Sequence, residues 1–195
     1  MRRPAHHLQE NTISVTRDLG AIDAVRQARL ASMIERDYRF IWRLLRRLGV
    51  PSHSVDDGAQ QVFLIMAERL DDIQQASERS FAYGTALRVA QDYRRRSLRE
   101  RGVADAEGLP EPICHTPDPE ELTAQRRARE QLDRVLDAMP IELRAVFVLF
   151  ELEGMTSPEI AAISGLPPGT VASRLRRARE RFRELVAQTS MSRVK

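Results

Sequence analysis

Apolar residues recur at helical spacing along most of this chain. Leu30, Ile34, Tyr38, Ile41, Leu45 and Leu48 form one stripe, with Arg36, Arg39, Arg43, Arg46 and Arg47 on other faces, so a long amphipathic helix is predicted from about Ala21 to Leu48. Gly49-Val50-Pro51 stops it, and Ser54 with Asp57 is placed to cap a second helix whose stripe is Val55, Ala59, Val62, Phe63, Met66 and Leu70. A third helix is expected near Ser80, running through Phe81, Tyr83 and Leu87 into the basic cluster Arg94, Arg95, Arg96 and Arg99. The pattern resumes near Glu120, passes Leu132, Val135, Leu136 and Met139, breaks before Pro140, and continues as an apolar helix from Ile141 to Glu153. No run alternates as a strand would, so the predicted fold class is all-α.

The stretch from Thr156 to Arg177 carries the strongest local signal. Thr156 and Glu159 have capping-box spacing, Pro158 falls where helical N–H groups lack acceptors anyway, and Ser164-Gly165 ends a short helix with Ile160, Ala161 and Ile163 inward. A second helix follows Pro167, with Val171, Leu175, Ala178 and Phe182 as its buried stripe. That leaves Pro168, Gly169, Thr170, Ser173, Arg174, Arg176 and Arg177 free to face a DNA major groove, the geometry of a helix-turn-helix. Between Arg174 and Arg183 six arginines stand against Glu180 alone, a density suited to phosphate and guanine edges.

Charge and composition divide the chain further. The net charge of +3 hides a segregation: from Glu100 to Glu121 there are seven acids and one base, Arg101. That segment, 100–119, also holds Pro110, Pro112, Pro117 and Pro119 and lacks an apolar stripe, so it reads as an acidic linker between helical lobes at 21–99 and 120–188. Residues 1–20 read as a loose extension and 189–195 as a flexible tail. One cysteine, Cys114, allows no internal disulfide, and neither a signal peptide nor a membrane-spanning run is seen, which fits a cytoplasmic protein. Cys114-His115, His6-His7 and His53 supply neither a metal-ligand set nor a catalytic constellation, and no glycine-rich phosphate loop precedes a helix. No cofactor, metal or enzymatic activity is expected.

Three segments together, SVDDGAQQVF, FAYGTALRVAQDYRRR and LDAMP…ELEGMTSPEIAAISGLPPGTVASRLRRARERFRE, resemble the extracytoplasmic-function (ECF) sigma factors of bacterial RNA polymerase over roughly Arg29 to Leu185. The resemblance implies a first lobe, region 2, that docks on the polymerase clamp and opens the −10 element. It implies a second lobe, region 4, that binds the polymerase flap and the −35 element. Asp56, Asp57, Gln60 and Gln61 stand where the family contacts core polymerase, and Arg88, Tyr93, Arg94, Arg95 and Arg96 where it meets −10 DNA. Phe81 and Arg88 replace the family's usual tryptophan and asparagine, and the loop 71–80 stands where the family captures a flipped base. Promoter DNA, bacterial core RNA polymerase and a separate anti-sigma factor are the implied partners. The alternative is a helix-turn-helix regulator that binds an operator without docking on polymerase.

Overall fold

A computed structural model describes the backbone of residues 6–101 and 119–191 and the side chains of 23–97, 99 and 128–188. The predicted linker with Cys114 and His115 falls outside the described residues, apart from its helical ends. Helix α1 spans His6–Arg47, α2 Val55–Glu68 and α3 Glu78–Arg101; α4 spans Pro119–Asp137, α5 Ile141–Phe147, α6 Ser157–Ser164 and α7 Pro168–Met191. The loose extension expected over 1–20 is corrected here, since α1 is already helical at His6. No proline lies within 6–47, so nothing in the backbone chemistry forces a break where the apolar stripe runs out. At the other end α7 continues to Met191, into the expected tail.

In the first lobe α1, α2 and α3 pack as a three-helix bundle. Ile41, Leu44 and Leu45 of α1 and Leu48 just after it meet Val55, Ala59, Val62 and Met66 of α2 and Ala82, Ala86, Val89 and Ala90 of α3, all buried. The predicted α2 stripe is buried in this core, as are Ile41, Leu45 and Leu48 of the α1 stripe, whereas Leu30, Ile34 and Tyr38 are only partly buried against it and Met33, Phe40 and Leu44, outside the predicted stripe, are buried. Ser54 does occupy the position before α2, but its side chain makes no capping bond. In the second lobe Val171, Leu175 and Ala178 of α7 bury against α5 and α6 as the spacing requires, with the Phe147 and Phe182 rings stacked at 4.7 Å. The helix predicted from Ile141 to Glu153 changes character midway. After α5 it widens into a π-turn over Val148–Leu152, closed by Glu153 N–H to the Val148 carbonyl at 2.9 Å.

The loop between α2 and α3 has turn bonds of its own, Asp72 N–H to the Arg69 carbonyl (3.0 Å) and Ser77 N–H to the Gln74 carbonyl (2.8 Å), and is also held from α1. Arg29 donates to the carbonyls of Leu70 (3.1 Å) and Ile73 (2.5 Å) and to the Glu78 carboxylate (2.8 Å), and Arg36 donates to the other Glu78 oxygen at 3.1 Å. Burial pushes the Glu78 carboxyl up, but the Arg29 and Arg36 guanidiniums outweigh it and hold the group below its usual 4.5. Because the unfolded chain takes up that proton first, the contribution is complete above about 4.5 and is lost as pH falls through the depressed value. Glu78→Gln is therefore expected to cost about 2 kcal/mol at pH 7, with the gap to wild type shrinking towards pH 3. Urea denaturation of both proteins at the two pH values measures it; a gap that stays constant would show that the charge of Glu78 is immaterial.

Candidate functional site

The helix-turn-helix is built as its sequence implies. The Glu159 carboxylate accepts from both the backbone N–H and the hydroxyl of Thr156, each at 2.7 Å. Those two bonds, the backbone one foremost, hold Glu159 below its ordinary range. Gly165 ends α6 at φ 68, a left-handed residue whose N–H bonds the Ala161 carbonyl at 3.0 Å. Pro168 then occupies the first position of α7, with Gly169 and Ser173 exposed and Thr170 half-buried. Thus α6 and α7 cross at a tight turn and leave the first turns of α7 open to an approaching duplex.

The arginines of α7 divide by partner. Arg176 pairs with Glu180 at 2.8 Å, Arg181 with Glu184 at 3.0 Å and Arg179 with Glu151 at 2.7 Å, the last also lying 4.9 Å over the Phe150 ring. Arg177 and Arg183 are exposed and have no acidic partner within bonding distance among the described residues. Arg174, half-buried, faces the first lobe closely enough that its charge opposes the burial that pushes the Tyr83 hydroxyl up to about 12. So the run that looks uniform in sequence contains a structural half and a half with donors to spare.

On α2 the four residues predicted for protein docking do not behave alike. Asp57, Gln60 and Gln61 are exposed on one side, joined there by Leu64, which is 56% exposed. Sequence reasoning missed Leu64; its signal is that it lies four positions after Gln60 and off the buried stripe. Asp56 is exposed too, but its carboxylate accepts from the Tyr38 hydroxyl (3.1 Å) and the Trp42 indole N–H (2.9 Å), tying α2 to α1. The Tyr38 hydroxyl is raised by burial and by that bond. Asp56 therefore supports the face while Asp57, Gln60, Gln61 and Leu64 present it.

Along α3 the basic residues are spread around the helix. Arg88, Arg95 and Arg96 are exposed; Arg95 pairs with Asp92, and Arg96 lies 6.0 Å from the Tyr93 ring. Tyr93 and Phe81 are half-buried against the core, so each presents only part of its ring. Arg94 turns to the second lobe and donates to the Asp137 carbonyl at 3.2 Å. Arg88 lines a cleft of about 430 Å³ with Ser80, Tyr83 and Leu87 on one wall and Ala162 to Gly165 on the other. Among the described residues no cluster of three potential metal ligands occurs, and no helix is long and apolar enough to cross a membrane.

Comparison with known proteins gives this arrangement a context. Residues 33–100 match the family profile "Sigma-70 region 2" and 129–182 match "Sigma-70, region 4", which are the α1–α3 bundle and the lobe bearing α5 to α7. The chain is 32% identical over 139 residues to the ECF RNA polymerase sigma-E factor of Escherichia coli, covering 67% of this chain and 73% of that protein. It is 30% identical over 154 residues to the ECF RNA polymerase sigma factor SigE of Mycolicibacterium smegmatis, covering 77% of this chain and 58% of that one. The fold is similar to that of CnrH, solved in complex with the cytosolic domain of CnrY (TM-score 0.58, 23% identity, 82% of this chain and 88% of that chain). It is also similar to the sigma factor RpoE of Bartonella quintana, solved with the anti-sigma factor NepR (TM-score 0.54, 16% identity, 80% and 96%). With both lobes matched in order and a relative aligned over most of its length, the chain belongs to the ECF sigma factors of the sigma-70 family.

Proposed function

We propose that this chain binds core RNA polymerase in the cytoplasm and directs it to promoters, reading the −35 element with α7 and opening the −10 element with α3. The observation that carries the proposal is the exposed α2 face of Asp57, Gln60, Gln61 and Leu64, on a different lobe from the helix-turn-helix. A regulator that binds an operator by itself has no use for such a face. Acidic and amide acceptors beside one exposed leucine suit a basic partner helix with an apolar anchor, and acids in the first turn of α2 are supported by its dipole.

In this reading Arg177, Thr170 and Ser173 meet the −35 major groove from α7, Arg174 joins them once clear of the first lobe, and Pro168 and Gly169 bring the backbone close to a phosphate. Arg88, Arg95 and Arg96 hold the backbone beside the −10 element. No hydrolysis is needed for melting, since unstacking costs a few kcal/mol per step and captured bases return part of it. Arg88, where the family usually has asparagine, adds a charge to that grip and is the residue expected to set this factor's −10 preference apart. Two weak lobes joined by a tether on one polymerase act as one tight reader. By analogy with the Bartonella factor, which was solved with the anti-sigma factor NepR, a separate anti-sigma protein is a further proposed partner.

Gel filtration of the chain mixed with core polymerase tests the docking part directly. Co-elution at micromolar concentration is expected. Separate elution would leave the operator-binding regulator as the better reading.

A further inference from the structure

One side chain of α1 fastens the loop between α2 and α3. Arg29 puts its three nitrogens on three different segments: Nη1 on the Leu70 carbonyl just after α2 (3.1 Å), Nη2 on the Ile73 carbonyl in mid-loop (2.5 Å) and Nε on the Glu78 carboxylate at the start of α3 (2.8 Å). The loop's own turn bonds close each half locally, at Arg69–Asp72 and at Gln74–Ser77, and Arg29 joins the halves. A planar guanidinium fixes those donor directions, which a lysine ammonium does not. Glu78 is fixed in turn, since Arg36 donates to its other oxygen at 3.1 Å and also donates twice to the carboxylate of Asp37, which is buried.

Gln74 and Gln75 are exposed on this loop, which leads directly into α3. Gln75 also faces an open cleft of about 340 Å³ that Arg29, Arg36 and Glu78 help to line, room enough for a single base. A carboxamide carries a donor beside an acceptor, the combination that reads the pairing edge of an unstacked base. We infer that Arg29 is a positioning residue for promoter opening: it holds the 69–77 loop in one conformation, so that the Gln74 and Gln75 amides meet an unpaired base of the −10 strand. The inference rests on the promoter reading above, in which that strand opens along α3. Arg29 acts through the loop, its three nitrogens being already engaged. A loop ordered beforehand loses little freedom on binding and discriminates between bases, whereas a loop free to shift accommodates several.

Its setting separates this clamp from an ordinary surface ion pair. Arg26 and Asp71 form such a pair on the same loop at 3.3 Å, but both are well exposed, so water and salt screen it and it constrains little. Arg29 is largely covered and the Glu78 side chain is 4% exposed, so their bond is sheltered. Two of the three Arg29 bonds go to backbone carbonyls, which ties the residue to the path of the loop rather than to one side chain. Arg29 also lies before the span 33–100 matched to the region 2 profile, so that match assigns it no role.

The test uses complexes of the full chain with core polymerase and a pool of randomised single-stranded DNA, sequenced after retention on the complex. The unaltered complex is expected to enrich one base about tenfold at one position or more. Arg29→Lys keeps the charge but loses the fork; it should bring that enrichment below about twofold at one position while the factor still co-elutes with core polymerase. Val62→Ala truncates the buried core of the same bundle, lowers stability and leaves every bond of the clamp in place, so its preference should match the unaltered complex. Gln74→Ala with Gln75→Ala, both exposed, should erase the preference at the same position without loss of stability. The inference is overturned if Arg29→Lys or the double glutamine variant keeps the preference, or if Val62→Ala loses it equally, since stability alone would then explain the loss. An unaltered complex that forms but enriches no base at any position would instead sink the −10 part of the promoter reading, and the role of Arg29 with it.

Discussion

Replacing Arg174 and Arg177 by alanine is expected to reduce promoter binding by the polymerase–factor complex on the order of 100-fold, while retention of the factor on core polymerase changes by less than about twofold. The expectation follows from how α7 distributes its charge. Arg176, Arg179 and Arg181 spend their donors on Glu180, Glu151 and Glu184, so their loss would cost helix and lobe stability as well as any DNA contact. Neither Arg177 nor Arg174 has such an acidic partner among the described residues. A guanidinium that reaches a base edge contributes about 1–3 kcal/mol, and one on a phosphate also contributes about 0.9 to the salt slope. The double variant should therefore flatten the dependence of promoter binding on salt as well as weaken it. Electrophoretic mobility shifts at several salt concentrations measure both, and unchanged binding would remove α7 from the DNA.

The second large effect concerns α2. Gln60→Ala combined with Leu64→Arg is expected to weaken association with core polymerase by about 30-fold or more, because Leu64 is the one apolar anchor on an otherwise polar face and a charge in its place opposes a basic partner helix. Both positions are exposed, so thermal stability should move by less than about 0.5 kcal/mol. Asp56→Ala makes an informative contrast. It strips the Tyr38 hydroxyl and the Trp42 N–H of their acceptor and should cost about 1 kcal/mol of stability, with a smaller effect on docking. Equal loss of core binding from both variants, at matched stability, would mean that Asp56 touches the partner itself.

Much of this architecture can be read in the chain. The stripe Val55–Leu70 and the positions Val171, Leu175 and Ala178 are buried as their spacing requires, with Phe182 partly buried beside them, and Thr156, Glu159 and Gly165 form the cap and turn that their chemistry suggests. Each of those features is local, set by residues a few positions apart. What escaped the sequence is long-range. Asp56 looks like a free acid beside Asp57 until α1 brings Tyr38 and Trp42 against it. Arg144 looks like one more surface arginine in an apolar helix, yet it is buried because the end of α1 and Asp137 converge on it. The N-terminal start of α1 was missed for a different reason: an apolar stripe reports which part of a helix is packed, not where the helix begins. The π-turn at Val148–Leu152 likewise has no marker in an apolar run.

Run-off transcription tests the central claim most directly: purified core polymerase, with and without this chain, on fragments spanning the genome from which the chain comes. Transcripts that start at defined sites only when the chain is added, and that disappear with Arg174→Ala/Arg177→Ala, are the predicted result. Equal transcript patterns with and without the chain would contradict it.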